Sequence, residues 1–182
     1  ANSGGIGVIA TAGIGEKEED IFTNFIAANN RALRNEIRKA RSMTNGLLGV
    51  NIMVAFSNYG ELTKVAIEEK IDIIFAGAGL PMTMPEFLPE TGHRPKLVPI
   101  VSSGKGAALI ARRWTEKYNY LPDAFVVEGP MAGGHLGFKK EQIFDENFTL
   151  VKLLVDVVEK IKPFEEKYNR KIPVIAAGGV YT

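Results

Sequence analysis

A parallel α/β fold is what this sequence predicts, and three observations predict it. Short apolar runs alternate with amphipathic helical segments along the whole chain. No hairpin signal joins any two of the six strand-like runs, so each returns through a helix by a right-handed crossover. Several of the runs also end in glycine and other small residues, which leaves room for a flat ligand at one end of the strands. The stretch that organises the chain runs from Ala124-Phe125-Val126-Val127, doubly apolar and therefore buried on both faces, into Glu128-Gly129-Pro130-Met131-Ala132-Gly133-Gly134-His135-Leu136-Gly137. That glycine-rich turn holds one histidine at the carboxyl end of a strand, where α/β sheets and βα barrels place their chemistry.

The elements follow in order. Asn2-Ser3-Gly4-Gly5 reads as a helix end, followed by a strand over 6–10 and a glycine-containing exit over 11–15. The acidic run Glu16-Lys17-Glu18-Glu19-Asp20 reads as a solvated helix start, since carboxylates suit that end of the helix dipole. Over 29–43, Leu33, Ile37 and Ala40 recur at helical spacing among five basic residues, an amphipathic helix whose arginines could form a phosphate or acidic-partner patch, although the interspersed Asn35 and Glu36 favour an ordinary wet face. The strand over 47–54 carries Asn51, which either ties down a loop or meets a polar ligand. A helix over 61–70 buries Leu62, Val65 and Ala66 and leads to the strand over 72–79.

Three prolines over 80–89 exclude a continuous helix, and Met82, Met84 and Phe87 there could line an apolar substrate pocket, with core packing the favoured role for any one of them. His93 lies in a surface turn. The strand over 97–104 leads to a helix over 104–117 with Ala108, Ala111 and Trp114 facing inward. After the histidine turn, 138–148 reads as a polar flap. The strongest helical stripe, Leu150, Leu153, Leu154, Val157, Val158 and Ile161, precedes a last strand ending in Gly178-Gly179.

Composition narrows the function. The chain has 182 residues, 46% hydrophobic and 24% charged, enough for one domain with a core. With 22 basic and 21 acidic residues and a net charge of +1, it carries no nucleic-acid footprint. No apolar run reaches the roughly 20 residues of a membrane span, and the cytoplasm is the expected compartment. Without cysteine there is no disulfide, thiolate metal site or thiol nucleophile, and two distant histidines make no metal centre, so none is expected.

The ordered set Asn2-Ser3-Gly4-Gly5-Ile6-Gly7-Val8-Ile9, Gly49-Val50-Asn51-Ile52-Met53, Gly77-Ala78-Gly79, the stretch Glu128 to Gly137, and Pro173 to Val180 resembles the nitronate monooxygenase family, formerly the 2-nitropropane dioxygenases. Flavin-type enoyl-acyl carrier protein reductases are its near relatives. The resemblance covers essentially the whole chain and implies a TIM (β/α)8 barrel that binds FMN. This chain corresponds to strands two to seven, one FMN-binding domain over 1–182 that is incomplete at both ends. Six βα units alone have two open sheet edges and half a phosphate cup, so they bind FMN poorly or aggregate.

By the same resemblance, Asn51 and Glu128 approach the flavin, Gly133 and Gly134 line it, Gly178 and Gly179 offer backbone N–H groups to its phosphate, and His135 is the catalytic residue. Many relatives have a neutral amide where this chain has Glu128 and an acid where it has Met131. The implied activity is oxidation of alkyl nitronates or nitroalkanes with molecular oxygen. Two alternatives stand beside it: an NAD(P)H-dependent enoyl-thioester reductase, and a non-catalytic phosphate- or nucleotide-binding barrel in which His135 only fixes a loop. Expected partners are a small-molecule substrate and oxygen, with a homodimer as a candidate assembly and neither nucleic acid nor membrane involved.

Overall fold

The structure is a computed structural model that describes residues 1–180. The chain divides into two compact units, one formed by Ala1–Ala76 with Glu86–Leu97, the other by Gly77–Pro85 with the chain from Val98 onward.

In the first unit β1 (Gly7–Ala10), β2 (Leu48–Met53) and β3 (Ile73–Gly77, its last residue in the second unit) follow one another in chain order, joined through α1 (Phe25–Met43) and α2 (Tyr59–Glu68). β1 and β2 are parallel, with Gly7 opposite Leu48 and Ala10 opposite Asn51. Every residue of β3 is buried, as its unbroken Ile-Ile-Phe-Ala-Gly run requires of a strand covered on both faces. Gly49 lets the Phe75 ring lie flush on β2: a Cβ there would sit 2.8 Å from the ring. Leu33 and Ile37 of α1 and Leu62, Val65 and Ala66 of α2 complete this core.

The arginines of α1 are spent on ion pairs. Arg34 reaches Glu68 and Glu69, Arg38 grips Glu69 through two nitrogens, and Arg41 meets Asp72, all at 2.7–2.8 Å. The guanidinium of Arg38, hydrogen-bonded to Glu69, holds that carboxyl below its ordinary range. The acidic run departs from expectation: 16–20 lies in turns, and α1 begins only at Phe25. Glu18 and Asp20 fold back to pair with Arg31 inside α1, so their charge is satisfied by a side chain and not by the helix dipole.

The second unit holds β4 (Lys96–Val101, from Val98), β5 (Phe125–Glu128) and β6 (Val174–Ala177), with α3 (Gly104–Tyr118) and α4 (Leu150–Tyr168) between them. β4, β5 and β6 are parallel, pairing Val101 with Val127 and Glu128 with Ala177. α3 and α4 pack together closely at Gly104, whose N–H donates to Asp156 Oδ2 at 2.7 Å and whose Cβ, if present, would lie 2.6 Å from the Asp156 carbonyl oxygen. Ser103 caps α3 by accepting from the Gly106 N–H, and left-handed Asn119 and Asn169 end α3 and α4.

Trp114 is fully buried, and its indole N–H donates to the Pro81 carbonyl at 2.9 Å, which anchors the proline-rich segment. Met84 is buried there too, in a 3₁₀ turn over Met84–Phe87. The inward face of α3 is formed by Ala107, Ile110, Ala111 and Trp114; Ala108 is only half-buried. Of the α4 stripe, Leu153, Val157 and Ile161 are buried, while Val158 is exposed along with Val151 and Val155. The end strands are partly uncovered, Val8 being 50% exposed in β1 and Ile175 41% in β6. No helix among the described residues is long and apolar enough to cross a membrane.

Candidate active site

The second unit contains a hollow of about 210 Å³ at the carboxyl ends of its strands. Ala78, Gly79 and Leu80 reach it from the turn after β3, Ile100 to Ser102 from the end of β4, and Glu128 from the end of β5, with His135 and Gly137 from the glycine loop that follows. Three successive strand exits therefore meet at one rim, the end at which parallel α/β proteins bind ligands. Small residues make the meeting physically possible. A Cβ on Gly77 would press on Ile100 at 3.1 Å, and one on Gly137 would lie 2.6 Å from Ser102 Oγ.

Glu128 ends β5 half-buried. Burial pushes its carboxyl above the ordinary range, and the neighbouring His135 pulls it partly back. The two side chains thus share the hollow and feel each other's charge. His135 itself is exposed, and its ring makes no hydrogen bond among the described residues. Carried on a glycine-rich loop and lining the hollow beside Glu128, the imidazole is placed to meet a ligand.

The two diglycine turns lie against each other. The Gly129 N–H donates to the Ala177 carbonyl at 2.9 Å, which joins the exits of β5 and β6. Gly178 and Gly179 have φ of 89° and 76°, and a Cβ on Gly178 would sit 2.7–2.9 Å from Ala132 N, Cα and Cβ. Neither Gly178 nor Gly179 N–H has an acceptor among the described residues. At Gly133 and Gly134 nothing lies within 4 Å of where a Cβ would project, so that face of the loop is open.

Asn51 belongs to the first unit, and the other six residues belong to the second. Its carbonyl accepts from both Thr11 N–H and Thr11 Oγ1, at 3.0 and 2.9 Å, so its backbone ties down the loop after β1. Its side-chain amide makes no hydrogen bond among the described residues and is half-buried. His93 is at the surface, with Nε2 2.7 Å from the Ile71 carbonyl. Ser102 is the lining group that the sequence reading passed over, although the small residues closing that strand were a usable signal. The expected flap over 138–148 consists of two short 3₁₀ turns, with the Phe138 and Phe148 rings edge to face at 6.2 Å and Phe144 90% exposed.

The raised carboxyl of Glu128 has a measurable consequence. A group whose folded value lies above its unfolded value, about 4.3 for glutamate, contributes stability fully present below the unfolded value and lost as pH rises through the folded one. Glu128→Gln removes that loss. The variant's melting temperature relative to the parent is therefore expected to rise as pH increases above about 4. A difference that does not change with pH would show the carboxyl to be unburdened.

Comparison with known proteins follows the same lines. The family model for nitronate monooxygenase matches residues 1–182. Among solved structures, FabK from Thermotoga maritima is similar with 31% identity and a TM-score of 0.64 over 83% of this chain and 40% of that one. A single-residue mutant of the same FabK gives the same identity and TM-score, with 42% of its chain covered. The chain thus spans about two fifths of the length of these structures. No curated protein matches. The likeness to FabK shows the fold, six parallel strands of a partial TIM barrel. The chain belongs to the nitronate monooxygenase family.

Proposed function

We propose that the protein carrying this chain is an FMN-dependent oxidoreductase that oxidises alkyl nitronates with molecular oxygen. The observation that carries the reading is the shared hollow of Glu128 and His135 at the strand ends, within a chain matched over its whole length by the nitronate monooxygenase model. The residues present fit an FMN. The N–H groups of Gly178 and Gly179, without an acceptor among the described residues, suit a phosphate, and the open face of Gly133 and Gly134 suits a planar ring. Bound there, FMN would supply the redox chemistry and its reoxidation by oxygen.

The chain's own groups do the rest. His135 takes the α-proton of a neutral nitroalkane at a ring nitrogen, or donates from that nitrogen to an oxygen of a nitronate. Glu128, whose carboxyl burial pushes upward, donates a hydrogen bond into the hollow when it is protonated. Leu80 and Ile100 provide apolar walls for a short alkyl chain. Small-molecule substrate and oxygen are the partners this requires.

The likeness to FabK favours one second reading, NAD(P)H-dependent reduction of an enoyl thioester. Oxygen uptake with propyl-2-nitronate, set against NADH oxidation with a crotonyl thioester, separates the two. Uptake without NADH supports nitronate oxidation, and thioester-dependent NADH oxidation alone overturns it.

A further inference from the structure

The outer face of α4 carries an apolar row. Val151, Val155 and Val158 are 71%, 53% and 48% exposed. They follow one another at spacings of four and three, and Lys162 continues the row four residues on. Val151 and Val155 lie about half a turn round the helix from Leu153 and Val157, which pack inward, so the row points away from the strands that α4 covers. Valine suits such a position poorly. Its branched side chain loses rotamer freedom in a helix, and on propensity alone lysine, glutamate or alanine would serve better on a wet face. Three valines in one exposed row therefore read as a contact surface.

The charges beside the row say what covers it. Alternating spacings of four and three are the a and d positions of a coiled-coil seam, with Val155 and Lys162 at a and Val151 and Val158 at d. The flanking e positions are then Lys152 and Glu159, both exposed and neither ion-paired among the described residues. They stand seven residues apart, about 10 Å along the axis, too far to pair within one helix. When two such helices pair antiparallel about a twofold axis, Val155 of each copy meets Val158 of the other. The same register sets Lys152 of each copy against Glu159 of the other, because e positions face e positions across an antiparallel seam. One helix thus carries both halves of a self-complementary charge pair, as an isologous interface requires. Lys162 falls opposite Val151 at the end of the seam, where its stem can lie along the valine with the ammonium in water.

We infer that the exposed face of α4 is an interface between two copies of this chain, paired antiparallel through Val151, Val155 and Val158 and oriented by Lys152 and Glu159. The surface belongs to the second unit alone, and the inference does not depend on the flavin reading. A seam of about four turns is small beside the roughly 1,200–2,000 Å² of a stable interface, so a dissociation constant in the micromolar range is expected.

The test is sedimentation velocity of the full-length protein from about 1 to about 200 µM, with substitutions only at exposed positions. The parent should pass from monomer to dimer over that range. Val155→Glu brings an acid from each copy into the centre of the seam and should leave only monomer. Glu159→Lys sets lysine against Lys152 of the other copy and should weaken the dimer about tenfold, and combining it with Lys152→Glu should restore the affinity to within about threefold. That restoration is the decisive reading, since it demands that the two positions meet between copies. The inference is overturned by a parent that stays monomeric, by a dimer indifferent to Val155→Glu or to Glu159→Lys, or by a double variant no tighter than Glu159→Lys alone. A monomeric parent whose melting temperature falls in Val155→Glu would overturn it too, and would show that the molecule covers this face itself.

Discussion

His135→Ala in the full-length protein is expected to lower turnover about 10²–10⁴-fold, the usual worth of a positioned acid or base, while the protein stays yellow. The asymmetry follows from where the ring sits. It is exposed, makes no hydrogen bond among the described residues, and projects from a loop with open space around Gly133 and Gly134, so the scaffold loses little when it goes. What is lost is the proton-bearing nitrogen in the hollow and the charge that Glu128 feels. The Glu128 carboxyl is then left with burial alone, which moves it further upward. Steady-state oxygen uptake and the visible spectrum of the same sample check both halves. Full activity with retained colour would refute the role.

Gly178→Val is expected to strip the flavin. The residue has φ of 89°, a conformation that costs an L-residue about 1–2 kcal/mol and a β-branched one more. The clash is the larger effect, because the new Cβ would meet Ala132 backbone and Cβ at 2.7–2.9 Å, and backbone cannot swing aside as a side-chain tip does. The loop carrying Gly133, Gly134 and His135 must shift, and the N–H groups at 178 and 179 shift with it. Because Gly178 lies beyond β6, the buried core around Trp114 and Phe125 is not touched directly. Flavin content should fall severalfold more than melting temperature suggests.

Much of the fold was legible because burial writes itself into periodicity. The run Ile73 to Ala76 has no polar interruption, and Leu33 and Ile37 or Leu153, Val157 and Ile161 keep helical spacing, so the strands and helices emerge from the residues alone. Where the reading erred, a tertiary partner intervened. Glu18 and Asp20 look like the start of a helix until Arg31, inside the helix, claims them. Ala108 and Ala107 are indistinguishable by composition, and the approach of α4 at Gly104 decides which one faces inward.

The site was legible in a different way. Glycines at strand ends pointed to one rim, but the roles of Glu128, Gly178 and Gly179 came from the family resemblance. No local pattern announces that Gly178 will rest on Ala132, or that burial and His135 will act on Glu128 in opposite directions. Asn58 was invisible for the same reason. An asparagine before a helix reads as a cap, and only the fold reveals that its side chain makes no capping bond and that its Oδ1 is buried without a partner among the described residues.

The central claim is that the glycine turns after β5 and β6 form one cup for a flavin phosphate and ring. Its most direct measurement is the visible absorption spectrum of the purified full-length protein, before and after adding FMN and removing the excess. The account predicts the two bands of oxidised flavin, retained after gel filtration in the parent protein and lost in Gly178→Val. A colourless parent protein that takes up no FMN would contradict it, and would favour a barrel that holds some other phosphate.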